Sequence, residues 1–360
     1  MALKKVLVIG LGKVGSLVTI LLKESAFDVS GFDQHAPNDL PYPVIRGDVK
    51  DLSTIKKIFK EQDAVVSCLP YHLNIGLAQA AYDAGIHYFD LTEDVPTTEF
   101  IRKLAQDSKG IMAPQCGLAP GFIGIVGADL TKRFDSLRAI ELRVGALPQH
   151  PKGDLGYAFN WSPEGVVNEY LNNCEVIRDG VAQDVPAMQD LETILISGNK
   201  LEAFSTSGGL GTMCETFAGK VDELNYKTMR YPGHMKLMRF FFHELLMKKD
   251  RKKAGEILVN SKPPVMDDVV YVHAAVEGEK KAPRVYVEGT YREEFVEAYY
   301  PQKIGDRVWR AISWTTAASL VSVIEMVAKK QLPQKGFLKQ EEIPLELFFK
   351  THAGKLYKKG

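Results

Sequence analysis

The feature that most constrains this chain is a short apolar strand running straight into a glycine turn. Lys4-Lys5-Val6-Leu7-Val8-Ile9 is followed by Gly10-Leu11-Gly12-Lys13-Val14-Gly15. An unbroken apolar run rich in β-branched residues fits a parallel strand buried on both faces. Gly10, Gly12 and Gly15 fall in the G-x-G-x-x-G pattern, and Ser16 to Lys23 continues with a helical period. In such a unit the first glycine allows a tight turn and the second lets backbone approach a pyrophosphate. The third lets the helix pack close to the strand, and the helix N-terminus faces the anion. Lys13 and Val14 sit within that cradle. A second strand, Asp28 to Phe32, ends in Asp33, at the distance of a carboxylate that takes both ribose hydroxyls. The alternative, a purely structural glycine turn, explains the glycines but not the acid.

Further along, strand and helix patterns alternate. A Pro-rich loop from Ala36 to Pro43 leads to the strand Val44-Ile45-Arg46 and to Asp48, which is either an adenine neighbour or a solvated turn residue. Leu52 to Lys60 is amphipathic, Asp63 to Leu69 reads as a fourth strand, and Asn74 to Ala84 as a helix closed by Gly85. Ile86 to Asp90 and Gly110 to Ala113 are further strands around a helix from Val95 to Ser108. This order predicts a Rossmann-type, doubly wound parallel sheet of the α/β class. Residues at the C-terminal ends of its strands face ligand, which makes Ser67, Leu69 and Pro70 candidates for the cofactor's edge, with Tyr71 and His72 beside them.

After Pro114-Gln115-Cys116-Gly117-Leu118-Ala119-Pro120-Gly121 the period changes. A helix from Phe122 to Arg133 precedes longer alternating segments, Leu137 to Val144, Val269 to Val276 and Val285 to Val296. These suggest a second, α+β domain with a mostly antiparallel, half-covered sheet. Its expected helices are Pro163 to Tyr170, Gly208 to Phe217 and Pro232 to Met247, with Lys248 to Lys253 a solvated connection. An amphipathic helix from Ala317 to Lys329 is expected to return to the first domain. The boundaries drawn are 1–116 with about 311–345 for the nucleotide domain and 117–310 for the substrate and dimerisation domain.

Composition narrows the class of function. Lys+Arg and Asp+Glu are 45 each, so no net charge points to nucleic acid or a membrane surface. No apolar run reads as a membrane span, and the N-terminus enters a strand with no signal-peptide pattern. Cys68, Cys116, Cys174 and Cys214 show no metal-ligand spacing, so no metal is expected. Free thiols in a reducing cytoplasm are.

Several stretches together resemble the saccharopine dehydrogenase family, which includes glutamate-forming saccharopine reductases, lysine 6-dehydrogenases and carboxynorspermidine dehydrogenases. The markers are Leu69-Pro70-Tyr71, His87-Tyr88-Phe89-Asp90-Leu91, Cys116 to Gly121, Gly156 to Gly165, and Lys227-Thr228-Met229-Arg230-Tyr231-Pro232-Gly233-His234. Ala203 to Gly209 looks most like the lysine 6-dehydrogenase branch. The resemblance implies hydride transfer between an amino-acid C–N carbon and a nicotinamide, through an imine. It also implies that Asp90, Cys116, Gly117, Leu118, Trp161 and Arg230 line the substrate site, with Ser67, Pro70 and Tyr71 nearest the nicotinamide. A homodimer or larger homo-oligomer acting on a small amino-acid-type substrate follows from the same likeness.

The residues themselves allow a parallel reading. A zwitterionic substrate needs a guanidinium for its carboxylate, which suits Arg230, unless that residue forms a structural salt bridge. Asp90 either holds an ammonium or passes a proton, or caps a loop. Trp161 either excludes water or fills the core. Cys116 is a small wall residue more readily than a nucleophile, since hydride transfer needs no covalent intermediate. His72, His87, His150 and His234 are candidate proton carriers, as are Lys227 and Tyr231, the latter also a candidate substrate contact. A carboxylate at Asp33 repels a 2′-phosphate and favours NAD over NADP. That choice and the chain's length lean toward oxidative deamination of a free diamino acid. The competing class is a dinucleotide-binding protein without catalysis.

Overall fold

Val6, Leu7, Val8 and Ile9 are at most 1% exposed, as an all-apolar strand covered on both faces must be. They lie in a computed structural model that describes residues 3–36, 40–280 and 289–358. The chain divides into two units, Met1–Phe122 with Ser313–Gly360, and Ile123–Ile312.

In the first unit, strands β1 (Lys5–Ile9), β2 (Asp28–Asp33), β3 (Val44–Arg46), β4 (Ala64–Ser67), β5 (His87–Asp90) and β6 (Ile111–Ala113) alternate with helices α1 (Gly15–Glu24), α2 (Leu52–Phe59), α3 (Asn74–Ala84) and α4 (Val95–Ala105). The seven-stranded sheet runs Gly336–Phe337, β6, β5, β4, β1, β2, β3, and every pair is parallel. The chain moves outward from β1 through β3 and then restarts on the other side at β4. That reversal opens a crevice at the carboxyl ends of β1 and β4. Leu7, Ile9, Phe32, Phe59, Val65, Leu77, Tyr88 and Ile101 share one core beneath α2, α3 and α4. The two-residue strand Gly336–Phe337, joining from 223 positions beyond β6's last residue (336 − 113), has no signal in the sequence.

The helix expected as an amphipathic Ala317 to Lys329 is Ala311–Ala328, and it is buried nearly all round. By length and composition it qualifies as a membrane span, contrary to the reading that no such run exists, yet 83% of it is buried in protein. Its polar positions are covered as well. Ser322 Oγ donates to Ala318 O and receives Thr351 Oγ1, while Glu325, 3% exposed, accepts from His352 N and Ala353 N. The apparent polar face therefore caps the C-terminal segment.

The second unit contains α5 (Phe122–Thr131, whose first residue belongs to the first unit), α6 (Pro163–Leu171), α7 (Met213–Phe217), α8 (His234–Arg239) and α9 (Arg251–Ser261). The strands of its main sheet are β7 (Ser136–Pro148), β8 (Cys174–Arg178), β9 (Val181–Val185), β10 (Glu192–Ile196), β11 (Asn199–Ser205), β12 (Val221–Arg230), β13 (Asp268–Glu279) and β14 (Thr290–Tyr299), and Gln302–Ile304 pairs with Arg307–Trp309 in a separate hairpin. The order is β10, β11, β12, β7, β13, β14, with β8 joined to β12 and β9 to β8. All pairs are antiparallel except β7 with β12. Of the described strands, β14 and the short β10 keep the half-covered alternation expected of the whole sheet; β13 is buried along nearly its full length. The first residues of the expected Val285 to Val296 strand, 285–288, lie outside the described set, as do 37–39 of the Pro-rich loop.

Two expected helices are shorter. Gly208 and Gly211 adopt left-handed φ of 88° and 58°, so the helix begins only at Met213. The segment from Pro232 is α8 followed by a π turn at Phe240–Glu244 and a left-handed Leu246. The basic run Lys248 to Lys253 is not a loop throughout: Asp250 accepts from Lys253 N and starts α9.

Candidate active site

Gly10 turns the chain at φ 88°, and a Cβ on Gly15 would stand 1.8 Å from Gly10 O. A side chain at either position is therefore excluded by backbone. A Cβ on Gly12 meets nothing within 4 Å, so the middle glycine faces open space. Helix α1 follows with Val14 at its N-cap, no capping side chain and no acid in its first turn. An anion fits there, and these residues suit a dinucleotide pyrophosphate. Asp33 closes β2, and its two oxygens accept from Leu11 N at 2.7 Å and His35 N at 2.7 Å. The carboxylate is thus pinned against the glycine turn. Its neighbour across β2 and β3 is Arg46, which donates to Ala36 O. Asp48 is exposed and accepts from Lys50 N at 2.9 Å.

At the end of β4 and β5 a buried polar network forms. Ser67 donates to Asn74 Oδ1 at 2.7 Å, and Asn74 Nδ2 donates to Asp90 Oδ2 at 3.2 Å. Asp90, fully buried, also accepts from Tyr88 Oη at 2.8 Å, Thr92 N at 2.9 Å and Gln115 N at 3.2 Å. Burial pushes its carboxyl up to about 6 against these donors, which favour the ionised form. Asp90 thereby fastens the loop from Gln115, where φ is 65°, to the sheet. Cys116 and Leu118 are buried in that loop. The Cys116 thiol receives Gln340 Nε2, and burial and the Asp90 charge push it well up. A Cβ on Gly121 would meet Gly117 O at 2.1 Å, so the loop closes tightly on Gly117. Leu69 is half-buried against Gly10, while Pro70 opens a 3-10 turn holding Tyr71 and the exposed His72, whose rings meet edge to face.

The second unit gathers a separate cluster around Arg230, the last residue of β12 and 2% exposed. Its Nε donates to Tyr170 Oη at 2.8 Å and Nη1 to Met229 O at 2.9 Å. The Tyr157 ring lies 4.7 Å below the guanidinium. Glu169 reaches only ion-pair range, 3.8 Å from Nη2. Trp161 donates from Nε1 to Tyr157 Oη and packs on the same core, joining that cluster. His234 is buried between Leu155 O and Tyr170 Oη, each at 2.9 Å.

The remaining candidates are dispersed. His87 Nδ1 accepts from Ile111 N within the sheet, His150 is exposed, Lys227 is bonded to Glu192, and Tyr231 Oη donates to Pro148 O. Sequence reasoning passed over Asn74, Tyr88, Tyr157 and Tyr170. Tyr88 was detectable two positions before Asp90 on the same strand face; Tyr170, at the end of α6, carries no local signal. Burial first, then the Asp94 and Asp90 charges, push the Glu93 carboxyl up to about 7.

A family model described as the saccharopine dehydrogenase NADP binding domain matches residues 6–113, and the saccharopine dehydrogenase C-terminal domain matches 117–360. A mitochondrial alpha-aminoadipic semialdehyde synthase of Rattus norvegicus is 27% identical over 196 residues, 51% of this chain and 21% of that protein. A saccharopine dehydrogenase [NADP(+), L-glutamate-forming] of Schizosaccharomyces pombe is 23% identical over 152 residues, 41% of this chain and 34% of its own. The chain therefore spans well under half the length of either. The apo saccharopine dehydrogenase (L-Glu forming) from Saccharomyces cerevisiae superposes with a TM-score of 0.73 at 14% identity, covering 97% of this chain and 98% of that one, a likeness of fold.

Proposed function

The chain belongs to the saccharopine dehydrogenase family, and on that premise we propose an NAD(P)-dependent oxidoreductase acting at an amino-acid C–N bond through an imine. Within that class we favour lysine 6-dehydrogenase-type oxidative deamination. The observation that carries the reading is Arg230: a buried guanidinium on an aromatic floor, with no carboxylate of the described chain within hydrogen-bond distance. A planar fork so presented suits a substrate carboxylate. When bound, the dinucleotide supplies the hydride acceptor or donor. Gly10 to Gly15 hold its pyrophosphate, Asp33 its ribose, and Ser67 and Pro70 border its nicotinamide. Asp90 holds the Gln115 to Gly121 wall in position.

An absorbance assay at the reduced-nicotinamide band tests this, with NAD or NADP against lysine, saccharopine and carboxylated polyamines. Lysine turnover supports the favoured reaction, and turnover of saccharopine alone moves the assignment to the glutamate-forming reductases. Turnover of a carboxylated polyamine moves it to the carboxynorspermidine type, and silence with all three favours a non-catalytic dinucleotide binder. Asp33 supports NAD; Arg46 in register beside it is the observation favouring NADP. Asp33→Ala should lower the NAD/NADP ratio of kcat/KM, and an unchanged ratio removes Asp33 from the ribose site. A cytoplasmic homo-oligomer completes the proposal, and light scattering tests the assembly.

A further inference from the structure

We propose that His234 is a positioning residue that orients the Arg230 guanidinium through Tyr170, and that it takes no part in proton transfer. The argument rests on reading Arg230 as the carboxylate anchor, but the hydrogen-bond chain itself follows from donors and acceptors alone. Leu155 O can only accept, so the 2.9 Å contact requires a hydrogen on His234 Nδ1. The other nitrogen, Nε2, lies 2.9 Å from Tyr170 Oη, and Arg230 Nε lies 2.8 Å from the same oxygen. Arginine can only donate, so Tyr170 accepts from Arg230 and is left to donate its own hydrogen. His234 Nε2 must then be bare to receive it. One arrangement satisfies every atom: Arg230 Nε–H to Tyr170, Tyr170 O–H to His234 Nε2, His234 Nδ1–H to Leu155 O.

The surroundings enforce it. His234 is 1% exposed, with the Phe204 ring stacked 6.3 Å away and the Tyr157 ring edge-on at 5.2 Å. Burial and then the Arg230 charge pull its imidazole down to about 3, so it stays neutral. Protonating Nε2 would set two donors against each other across the Tyr170 contact. A second clamp holds the loop between the two residues, because Glu202, paired across the strands with Arg230, accepts from Gly233 N at 2.7 Å and Met235 N at 2.6 Å.

The test uses the full chain labelled with 15N in histidine and arginine, without ligand. His234 should show a protonated Nδ1 and a bare Nε2, unchanged between about pH 5 and 8. Arg230 Nε–H should exchange with water about tenfold faster in His234→Phe and in Tyr170→Phe, with no further gain in the double variant. An Nε2–H tautomer, an imidazolium, or exchange unaffected in both variants overturns the inference. If His234→Phe does not fold, Tyr170→Phe decides the exchange arm. In turnover with lysine or saccharopine, His234→Phe should raise KM about tenfold with kcat and the pH profile kept. Loss of a pH-profile limb would make His234 a proton carrier. A wild-type chain that turns over neither substrate counts against the function proposed, while tautomer and exchange still decide the positioning role.

Discussion

Two arginines of the same sheet are equally buried, and they do opposite things with their guanidinium groups. Arg143 on β7 and Arg230 on β12 are each 2% exposed. Arg143 meets Glu192 side-on, Nε to Oε1 at 2.5 Å and Nη2 to Oε2 at 3.4 Å, and Lys227 joins the same carboxylate at 2.6 Å. Arg230 instead donates to a phenol and a carbonyl, lies on an aromatic ring, and has its nearest acid, Glu169, at 3.8 Å. A buried charge with its fork matched internally is structural; one held by neutral partners keeps the capacity to pair with an outside carboxylate. The lesson is that burial and residue type did not separate these two, whereas the identity of the acceptor did.

The sharpest way to break the comparison is Arg230→Ala, for which kcat/KM should fall by about a thousandfold because a charged, two-pronged contact is lost. Retained turnover would move the anchor elsewhere. Glu192→Gln should do the reverse, costing about 2–3 kcal/mol in urea denaturation while leaving kcat/KM within about twofold. A kinetic defect there would make Arg143 part of the site. Arg230→Lys should lower kcat/KM by about tenfold, more than conserved charge suggests, since an ammonium lacks the fork. Arg143→Lys should cost only about 1 kcal/mol of stability.

Acid titration sharpens the contrast through carboxylates with opposite shifts. The Glu192 carboxyl is held low by Arg143 and Lys227 despite burial, so its contribution is present above its unfolded value of 4.5 and lost as pH falls through the folded one. Asp90 is raised to about 6 by burial, so the folded state disfavours its charge. The stability of wild type relative to Asp90→Asn should therefore decline as pH rises from its unfolded 3.8 toward 6. The corresponding difference for Glu192→Gln should grow as pH rises to 4.5. A common sign in paired urea titrations would refute the distinction.

Much of the first unit was legible because its signals are local. Turn, close approach and open space at Gly10, Gly15 and Gly12 each follow from three residues of sequence, and Asp33 from the end of the next strand. The second unit was read less well. Its sheet mixes one parallel pair into antiparallel neighbours, and β13, expected to be half-covered over Val269 to Val276, is buried on both faces. The tags pointed to Asp90, Trp161 and Arg230, but the partners Asn74 of Asp90, and Tyr170 and Glu169 of Arg230, lie on other elements. Asp90 and His234, read as possible proton groups, turned out to be surrounded by hydrogen-bond partners.

By itself, the sequence determined that a parallel sheet would begin at Val6, that a dinucleotide cradle would follow, and that the chain would carry the family's tags. These depend on short-range sterics and periodicity, which neighbouring residues settle among themselves. Only the tertiary structure decided which arginine meets a carboxylate side-on and which lies on an aromatic ring, which histidine nitrogen bears its hydrogen, and that the polar face of Ala311–Ala328 is buried. Those outcomes depend on acceptors brought from distant strands and helices, and a charge's role is fixed by what stands within about 3 Å of it in space.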